Sequence, residues 1–215
     1  MKLRMNKHNQ NGMLIAFEGL DGCGKSTQIA VLSETLEAMN IPVCLTKQPT
    51  DSVRNSDIFR TFMDEPNHDA YDYRALSLLC ASDRIQHCSR VIMPLLEEGK
   101  TVISDRYFYS CLANLRARGY TDDLWIYEIA RCIPKPDLFF VLDVPVELAV
   151  SRVRNRLSER DRYIDMDLQY RLRDEFLKIA KVNDGIILDC TETPEQVNQR
   201  IIAAITQKAG VVQYA

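Results

Sequence analysis

The sequence predicts an α/β fold in which a five-stranded parallel sheet carries helices on both faces. Apolar runs of strand length alternate along the chain with longer segments whose apolar residues recur at helical spacing. The run at residues 13–18 is almost wholly apolar, as expected for a strand covered on both faces. The chain has 215 residues, 46% of them hydrophobic, which is typical of one globular domain.

Five segments have the length and composition of buried strands. They are residues 13–18, 43–46, 101–105, 138–143 and 186–189. Each is four to six residues long, and each is separated from the next by a segment of helical period, so parallel pairing through crossover helices is expected.

Proline, glycine and capping residues mark the helices between these strands. The first helix carries apolar residues from Ile29 to Met39 and stops before Pro42. Helices are then predicted at 54–63 and at 71–98, with 64–68 between them. Pro145 occupies the first position of the next helix, and a further helix runs to about residue 182. Thr193 and Gln196 form a capping box at the start of the last helix.

No repeat or long linker interrupts this pattern, so we predict one domain at residues 13–208. Residues 1–12 are basic and polar and are expected to be a disordered tail, and 209–215 a C-terminal tail. The apolar run that follows residue 12 is too short for a signal peptide or a membrane helix. A highly charged stretch at residues 152–165 is predicted to be an arginine-rich lid.

Charge and cysteine content exclude several classes of protein. Lys and Arg number 27 against 30 Asp and Glu, a formal net charge of −3, so we expect neither a nucleic acid polymer nor a membrane as partner. The 7 cysteines are odd in number and form no C-x-x-C pair, which disfavours a disulfide framework or structural zinc. Free thiols fit a reducing compartment, and we expect a cytoplasmic protein.

Residues 19–26 match the phosphate-binding pattern G-x-x-x-x-G-K-[ST] at every fixed position. The glycines allow main-chain N–H groups to turn around phosphate oxygens, Lys25 reaches the β and γ phosphates, and Ser26 binds Mg²⁺. The strand before the loop and the helix after it are the context that this motif needs. We therefore predict a three-layer P-loop NTPase fold with ATP and Mg²⁺ as cofactors. The predicted cofactor-binding residues are Gly19, Leu20, Asp21, Gly22, Cys23, Gly24, Lys25, Ser26 and Thr27.

Asp105 ends the third predicted strand, at the sheet edge where ligands of open α/β sheets gather. A carboxylate there can hold the water shell of the metal, directly or through Ser26. The alternative is a helix or loop cap, which is also the role favoured for Asp143 at the end of the fourth strand.

Several linked motifs resemble one family of nucleotide kinases. They are the phosphate loop in Phe17-Glu-Gly-Leu-Asp-Gly-Cys-Gly-Lys-Ser-Thr27, Ala81-Ser-Asp-Arg-Ile-Gln-His87, Asp105-Arg-Tyr-Phe-Tyr-Ser110 and Pro136-Asp-Leu-Phe-Phe-Val-Leu-Asp-Val-Pro145. Over residues 13–208 the chain resembles the thymidylate kinase family of nucleoside monophosphate kinases. The resemblance implies transfer of the γ-phosphate of ATP to the 5′-phosphate of dTMP, and a homodimer.

The resemblance also implies roles for individual residues. Arg106 and Arg60 are expected to meet the acceptor phosphate, Asp21 to assist the acceptor and the metal, and Arg84 to face the base. The phosphate loop carries no arginine, so a lid arginine is implied as catalytic. Arg152 and Arg156 are preferred, with Arg162 as a further candidate. A solvated charged helix is the alternative for this stretch. The predicted catalytic residues are Lys25, Asp21, Arg106, Arg152 and Arg156.

Three changes from the family pattern, at four positions, are expected to line the acceptor pocket. Gln48 replaces a carboxylate, Cys80 an aromatic residue, and Asn114-Leu115 a Tyr-Gln pair. Altered acceptor preference would follow, unless nearby aromatic residues restore thymine binding. A kinase for another nucleoside monophosphate, or a non-catalytic ATP-binding regulatory module, are the alternatives. The predicted substrate-binding residues are Gln48, Arg60, Cys80, Arg84, Arg106, Tyr107, Ser110 and Asn114.

Overall fold

The computed structural model describes residues 1–67 and 70–212 of the chain. His68, at the end of the predicted 64–68 connection, and the last three residues of the predicted C-terminal tail lie outside these ranges. Among the described residues, no helix is both long and apolar enough to cross a bilayer.

Five parallel strands form a single sheet in the order β2-β3-β1-β4-β5. The strands are β1 Leu14–Glu18, β2 Val43–Lys47, β3 Thr101–Asp105, β4 Leu138–Asp143 and β5 Ile186–Asp189. Every residue of the central strand β1 is buried, because β3 and β4 pair with its two edges and helices cover both faces of the sheet. The predicted strands are confirmed to within one residue at each end.

Ten α-helices surround the sheet in the described residues. They are α1 Lys25–Ala38, α2 Asp51–Arg54, α3 Asp57–Asp64, α4 Tyr73–His87, α5 Met93–Glu97, α6 Phe108–Ala117, α7 Trp125–Ile129, α8 Val146–Arg154, α9 Met166–Val182 and α10 Pro194–Val212. Helices α1 and α10 pack together on one face, and α4, α6 and α9 form a continuous layer on the other. The three-layer α/β architecture is thereby confirmed.

Two predicted helices are divided in the structure. The segment predicted at 71–98 contains a π-helical turn, Cys88–Ile92, between α4 and α5. Pro94 lies just beyond that turn and has no N–H group to continue a regular α-helical ladder. The segment predicted at 54–63 is divided at Ser56, whose hydroxyl accepts a hydrogen bond from the Phe59 amide and caps α3.

The two chain ends depart from the predicted tails. Residues 1–12, expected to be disordered, lie against the body of the protein. Leu3 is buried and its amide donates to Asn183 Oδ1 at 2.8 Å, and Asn6 pairs with Pro134. Burial of the apolar Leu3 side chain stabilises the packed position of this otherwise polar segment. At the other end, α10 continues past residue 208 to Val212.

The strand order determines where a ligand can bind. After β1 the chain adds β2 and β3 on one side of β1, and it then crosses to add β4 and β5 on the other side. The direction in which strands are added therefore reverses next to β1. Ligands of open α/β sheets bind at the carboxyl ends of the strands at such a switch point. The loop after β1 and the end of β3 meet at this point.

Candidate active site

The loop from Gly19 to Gly24 joins β1 to α1 and is held in a conformation that needs glycine. Gly19, Gly22 and Gly24 have φ angles of 131°, 83° and 108°. A Cβ on Gly22 would lie 2.1 Å from the carbonyl oxygen of Ala149 in α8, and one on Gly19 would lie 2.5 Å from the Leu142 oxygen. The loop is thus packed tightly against β4 and α8, with its main chain free to face the cleft above.

Lys25 begins α1, and its ammonium group lies within the loop. Its Nζ atom donates to the carbonyl oxygens of Leu20 at 2.8 Å and Gly19 at 3.1 Å. Ser26 and Thr27 follow it and are exposed towards the cleft, whereas Cys23 is fully buried behind the loop. The N-terminus of α1 and Lys25 together favour a polyphosphate anion at this position.

Two clefts adjoin at the carboxyl edge of the sheet. The phosphate-loop cleft is lined by the glycine loop and charged side chains, among them Lys25, Ser26, Arg60, Asp105 and Arg156. The acceptor cleft, lined more by apolar groups, reaches down between α4, α6 and α9, with Phe62, Leu76, Cys80, Arg84, Ser110 and Asn114 among its lining residues. Six residues line both clefts and form what we call the shared wall: Asp21, Arg54, Phe59, Met63, Arg106 and Arg162.

One carboxylate holds two arginines together in the shared wall. Asp21 Oδ1 lies 2.6 Å from Arg106 Nη2, and Asp21 Oδ2 lies 3.1 Å from Arg162 Nη2. Burial raises the pKa of Asp21, but Arg106, Lys25 and Arg162 oppose it and hold that pKa well below its usual range. Burial lowers the pKa of Arg106, and the carboxylates of Asp21, Glu18 and Asp105 more than reverse this. Asp21 and Arg106 therefore stay ionised at neutral pH.

Glu18, which the sequence analysis did not single out, fixes the start of α6 and with it Arg106. This fully buried carboxylate accepts hydrogen bonds from the Tyr107 amide at 2.8 Å and the Ser110 amide at 3.0 Å, and from the Ser110 hydroxyl. Arg106 itself has a φ of 66°, and its amide donates to the Phe17 carbonyl. A charged residue at the end of an otherwise apolar central strand is the sequence signal that indicates such a role.

Asp105 and Ser26 both line the phosphate-loop cleft. Asp105 Oδ1 is buried and has no hydrogen-bond partner in the described part of the chain, so this side chain at the cleft keeps one carboxylate oxygen unpaired. A carboxylate and a hydroxyl beside a phosphate site suit Mg²⁺, which takes its other ligands from phosphates and water. The described residues contain no cluster of three His, Cys, Asp or Glu side chains that could bind a metal without such help.

The structure places the three lid arginines named from the sequence in two different surroundings. Arg156 and Arg162 line the phosphate-loop cleft, whereas Arg152 lies behind the loop, where its guanidinium donates to the carbonyls of Cys190 at 3.4 Å and Gly22 at 3.5 Å. The prediction paired Arg152 with Arg156 on one helical face, but α8 ends at Arg154 and Arg156 is extended, with φ −84° and ψ 122°. The helical spacing therefore does not apply to Arg156. Arg162, the further candidate, lines the phosphate-loop cleft together with Arg156.

Arg84 forms the polar floor of the acceptor cleft. It is 2% exposed and donates through Nε to the Tyr107 carbonyl at 3.2 Å and through Nη1 to the Cys80 carbonyl at 3.1 Å. Asn114 lies on the opposite helix, where its Oδ1 accepts from Arg118 Nη1 at 2.9 Å. The Arg118 guanidinium lies 4.1 Å from the centre of the Tyr73 ring. Cys80, Arg84, Ser110 and Asn114 thus line the cleft, and their contact with substrate stays a prediction.

Three residues expected in the acceptor pocket are directed elsewhere. Gln48 is fully buried and faces His87 on α4, and the Tyr107 hydroxyl donates to the Pro134 carbonyl at 2.8 Å beneath the sheet. Leu115 is buried in the core and does not line the acceptor cleft. Arg54, which was not predicted, occupies the shared wall instead. Arg60 is in the phosphate-loop cleft, where it pairs with Asp64.

A P-loop beside a second, deep cleft, with three arginines at their junction of which Arg162 belongs to the lid, defines a P-loop kinase that phosphorylates a small acceptor. The thymidylate kinase family model matches residues 17–201. The chain belongs to the thymidylate kinase family, in the class of nucleoside monophosphate kinases. The predicted family and enzyme class are confirmed.

Curated relatives and a solved structure match nearly the whole chain. A probable thymidylate kinase of Thermococcus kodakarensis is 39% identical over 204 residues, which cover 92% of this chain and 99% of the relative. The thymidylate kinase of Dinoroseobacter shibae is 35% identical, with 93% and 99% covered. The crystal structure of the thymidylate kinase from Ehrlichia chaffeensis aligns with a TM-score of 0.68 at 28% identity, covering 90% of this chain and 98% of that one.

Proposed function

We propose that this chain transfers the γ-phosphate of ATP to the 5′-phosphate of dTMP, giving dTDP and ADP. The observation that carries the proposal is the shared wall, in which Asp21, Arg106 and Arg162 form one ionised cluster between a phosphate-binding loop and an acceptor cleft. The names of the relatives supply the acceptor, because they are thymidylate kinases.

The two clefts divide the substrates between them. The triphosphate of ATP lies along the glycine loop, with Lys25 and the α1 N-terminus against its β and γ phosphates. The nucleoside of dTMP enters the acceptor cleft with its base towards Arg84, and its phosphate meets Arg106 and Arg54 at the shared wall. An oxygen of the dTMP phosphate then attacks the γ-phosphorus, the bond from that phosphorus to the β-bridging oxygen breaks, and ADP leaves.

Positioning and charge neutralisation supply the catalysis. Phosphoryl transfer needs in-line reactants and cations around the equatorial oxygens, and no covalent nucleophile from the protein. Arg156 and Arg162 of the lid, with Arg106 and Lys25, provide this charge, while Asp21 orients Arg106 and Arg162. Arg152 supports the phosphate loop from behind and contacts no substrate. Residues 152–165 act as a lid that excludes water, which would otherwise compete as acceptor.

Ser26 and Asp105 would hold Mg²⁺, which would supply positive charge to neutralise the phosphates. The remaining features are proposed on the family resemblance and the composition. Residues 13–208 form the catalytic domain, the protein acts as a homodimer, and it functions in the cytoplasm.

ADP release from ATP tests the function, with dTMP, dUMP, dCMP, UMP, CMP and dGMP compared as acceptors. We expect dTMP to give the highest kcat/KM. The comparison matters because Cys80 and Asn114 line the acceptor cleft where the family carries aromatic residues. A higher kcat/KM for another nucleotide would assign the acceptor differently. ATP binding without turnover of any acceptor would overturn the proposed function.

A further inference from the structure

The loop between β2 and α2, residues 48–50, is fastened to α4 by two side-chain anchors. Thr50 donates through its amide to Asp83 Oδ2 at 2.8 Å and through its hydroxyl to Asp83 Oδ1. Gln48 Nε2 lies 3.0 Å from His87 Nδ1. Asp83 and His87 are one helical turn apart and present the same face of α4 to the loop.

The second anchor is a partly buried chain of hydrogen bonds with one consistent arrangement. Gln48 donates from Nε2 to His87 Nδ1, so His87 carries its proton on Nε2 and donates to Thr46 Oγ1 at 2.8 Å. Gln48 Nε2 also lies 3.7 Å from Cys88 Sγ. Burial and Arg84 lower the pKa of His87 while Asp83 raises it, and the lowering prevails, which keeps the imidazole neutral at neutral pH.

The main chain of this loop holds Arg54. The Arg54 guanidinium donates through Nε to the Pro49 carbonyl at 2.8 Å and through Nη2 to the Gln48 carbonyl at 3.3 Å. Burial lowers the pKa of Arg54, and the nearby Arg106 lowers it further against Asp105 and Asp21. Because Arg54 lies close to a second cation, Arg106, binding of an anion between them at the shared wall is favourable. The direction of its guanidinium depends on where the two carbonyls are held.

We propose that Gln48 and His87 are positioning residues that aim Arg54 at the acceptor phosphate. The side chain of Gln48 fixes the position of its own carbonyl through His87, and this carbonyl and that of Pro49 hold the guanidinium at the shared wall. The inference rests on the proposed function, because it concerns the phosphate of the acceptor that the kinase uses. It explains why a glutamine that lines neither cleft is fully buried beside the site.

Gln48→Met tests the inference, because methionine keeps the volume and removes the amide donor. We expect the KM for dTMP to rise about tenfold, since a buried hydrogen-bond partner is lost. The KM for ATP and kcat should stay within about twofold, because the phosphate loop is untouched. Gln28→Met is the matched control: Gln28 is another buried glutamine, bonded to the Pro194 carbonyl at 3.0 Å, and its loss should leave the dTMP KM unchanged.

A double substitution separates positioning from a general structural effect. In an Arg54→Gln background, Gln48→Met should cause no further rise in the dTMP KM, because its effect passes through Arg54. The inference would be overturned if Gln48→Met raised the dTMP KM by the same factor in the wild-type and Arg54→Gln proteins. It would also be overturned if Gln48→Met alone left the dTMP KM unchanged. Turnover by the wild-type protein is measured first, so that absence of activity counts against the proposed function and a missing KM shift counts against the positioning role.

Substitution of His87 provides a second route if Gln48→Met does not fold. Asparagine at position 87 keeps an acceptor near the place of Nδ1, whereas phenylalanine has none. We expect His87→Asn to retain the wild-type dTMP KM and His87→Phe to show the same rise as Gln48→Met. Equal KM values for the two variants would contradict the positioning role.

Discussion

Asp21 lies 2.6 Å from Arg106, at the place where the phosphate-loop cleft and the acceptor cleft meet. The two residues are 85 positions apart in the chain and reach each other because β1 and β3 are neighbours in the sheet. Arg162 of the lid contacts the other oxygen of the same carboxylate. This ion pair thus connects the phosphate loop, the acceptor side and the lid.

Asp21→Asn is expected to lower kcat about a hundredfold, a loss typical of a single misplaced electrostatic contact in a transition state. Asparagine keeps the shape of the side chain but cannot neutralise or orient two guanidinium groups. Steady-state ADP release with saturating substrates measures the effect. The exposed Asp122→Asn is the matched control and should retain wild-type kcat. Wild-type turnover by Asp21→Asn would show that this carboxylate has no part in catalysis.

The lid arginines are expected to differ in their contributions. Arg156→Ala and Arg162→Ala should each lower kcat about a hundredfold or more, because both side chains line the cleft in which charge develops. Arg152→Ala should lower it only a few-fold, since Arg152 contacts main-chain carbonyls behind the loop. Parallel kinetics on the three variants measure the order. A larger loss for Arg152→Ala than for Arg162→Ala would contradict the assignment.

Local sequence patterns could predict some parts of this structure and not others. Strand bounds and the phosphate loop depend on hydrophobic runs and glycine positions close in sequence, and both were predicted. The lid pairing failed because a helical spacing was extended past Arg154, where the helix ends. The family resemblance predicts Gln48 in the pocket because it stands where the family carries a carboxylate, but its direction depends on His87, 39 residues away. Glu18 and Arg54 were missed because their roles depend on partners that only the packed sheet and loop bring near.

Metal dependence should involve Asp105. Removal of divalent cations with EDTA is expected to abolish phosphoryl transfer, and Mg²⁺ to restore it, because two anionic phosphates must be brought together. Asp105→Asn should need about tenfold more Mg²⁺ for half-maximal activity, the loss typical of a weakened metal contact. A Mg²⁺ titration of ADP release measures this. The same half-maximal concentration as the wild-type protein would leave Asp105 as a structural cap.

The stability of the fold should depend on pH through His87. Its pKa is lowered from 6.5 in the folded protein, chiefly by burial. Between the lowered value and 6.5 the unfolded chain binds the proton and the folded protein does not, so the free energy of unfolding rises with pH in this window. The window is absent in His87→Asn. Urea unfolding of the wild-type and His87→Asn proteins at several pH values within this window measures how the free energy of unfolding changes with pH in each. Identical pH dependence in the two proteins would exclude His87 as its source.

The most direct measurement follows the transferred phosphate itself. ATP labelled at the γ-phosphate is incubated with dTMP, Mg²⁺ and the full chain, and the labelled products are separated, with Lys25→Ala as the comparison. We predict label in dTDP with the wild-type protein, and a loss of at least about a hundredfold in that rate with Lys25→Ala, which keeps its fold. Label that appears only as inorganic phosphate, or equal dTDP formation by Lys25→Ala, would contradict a dTMP kinase built on this phosphate loop.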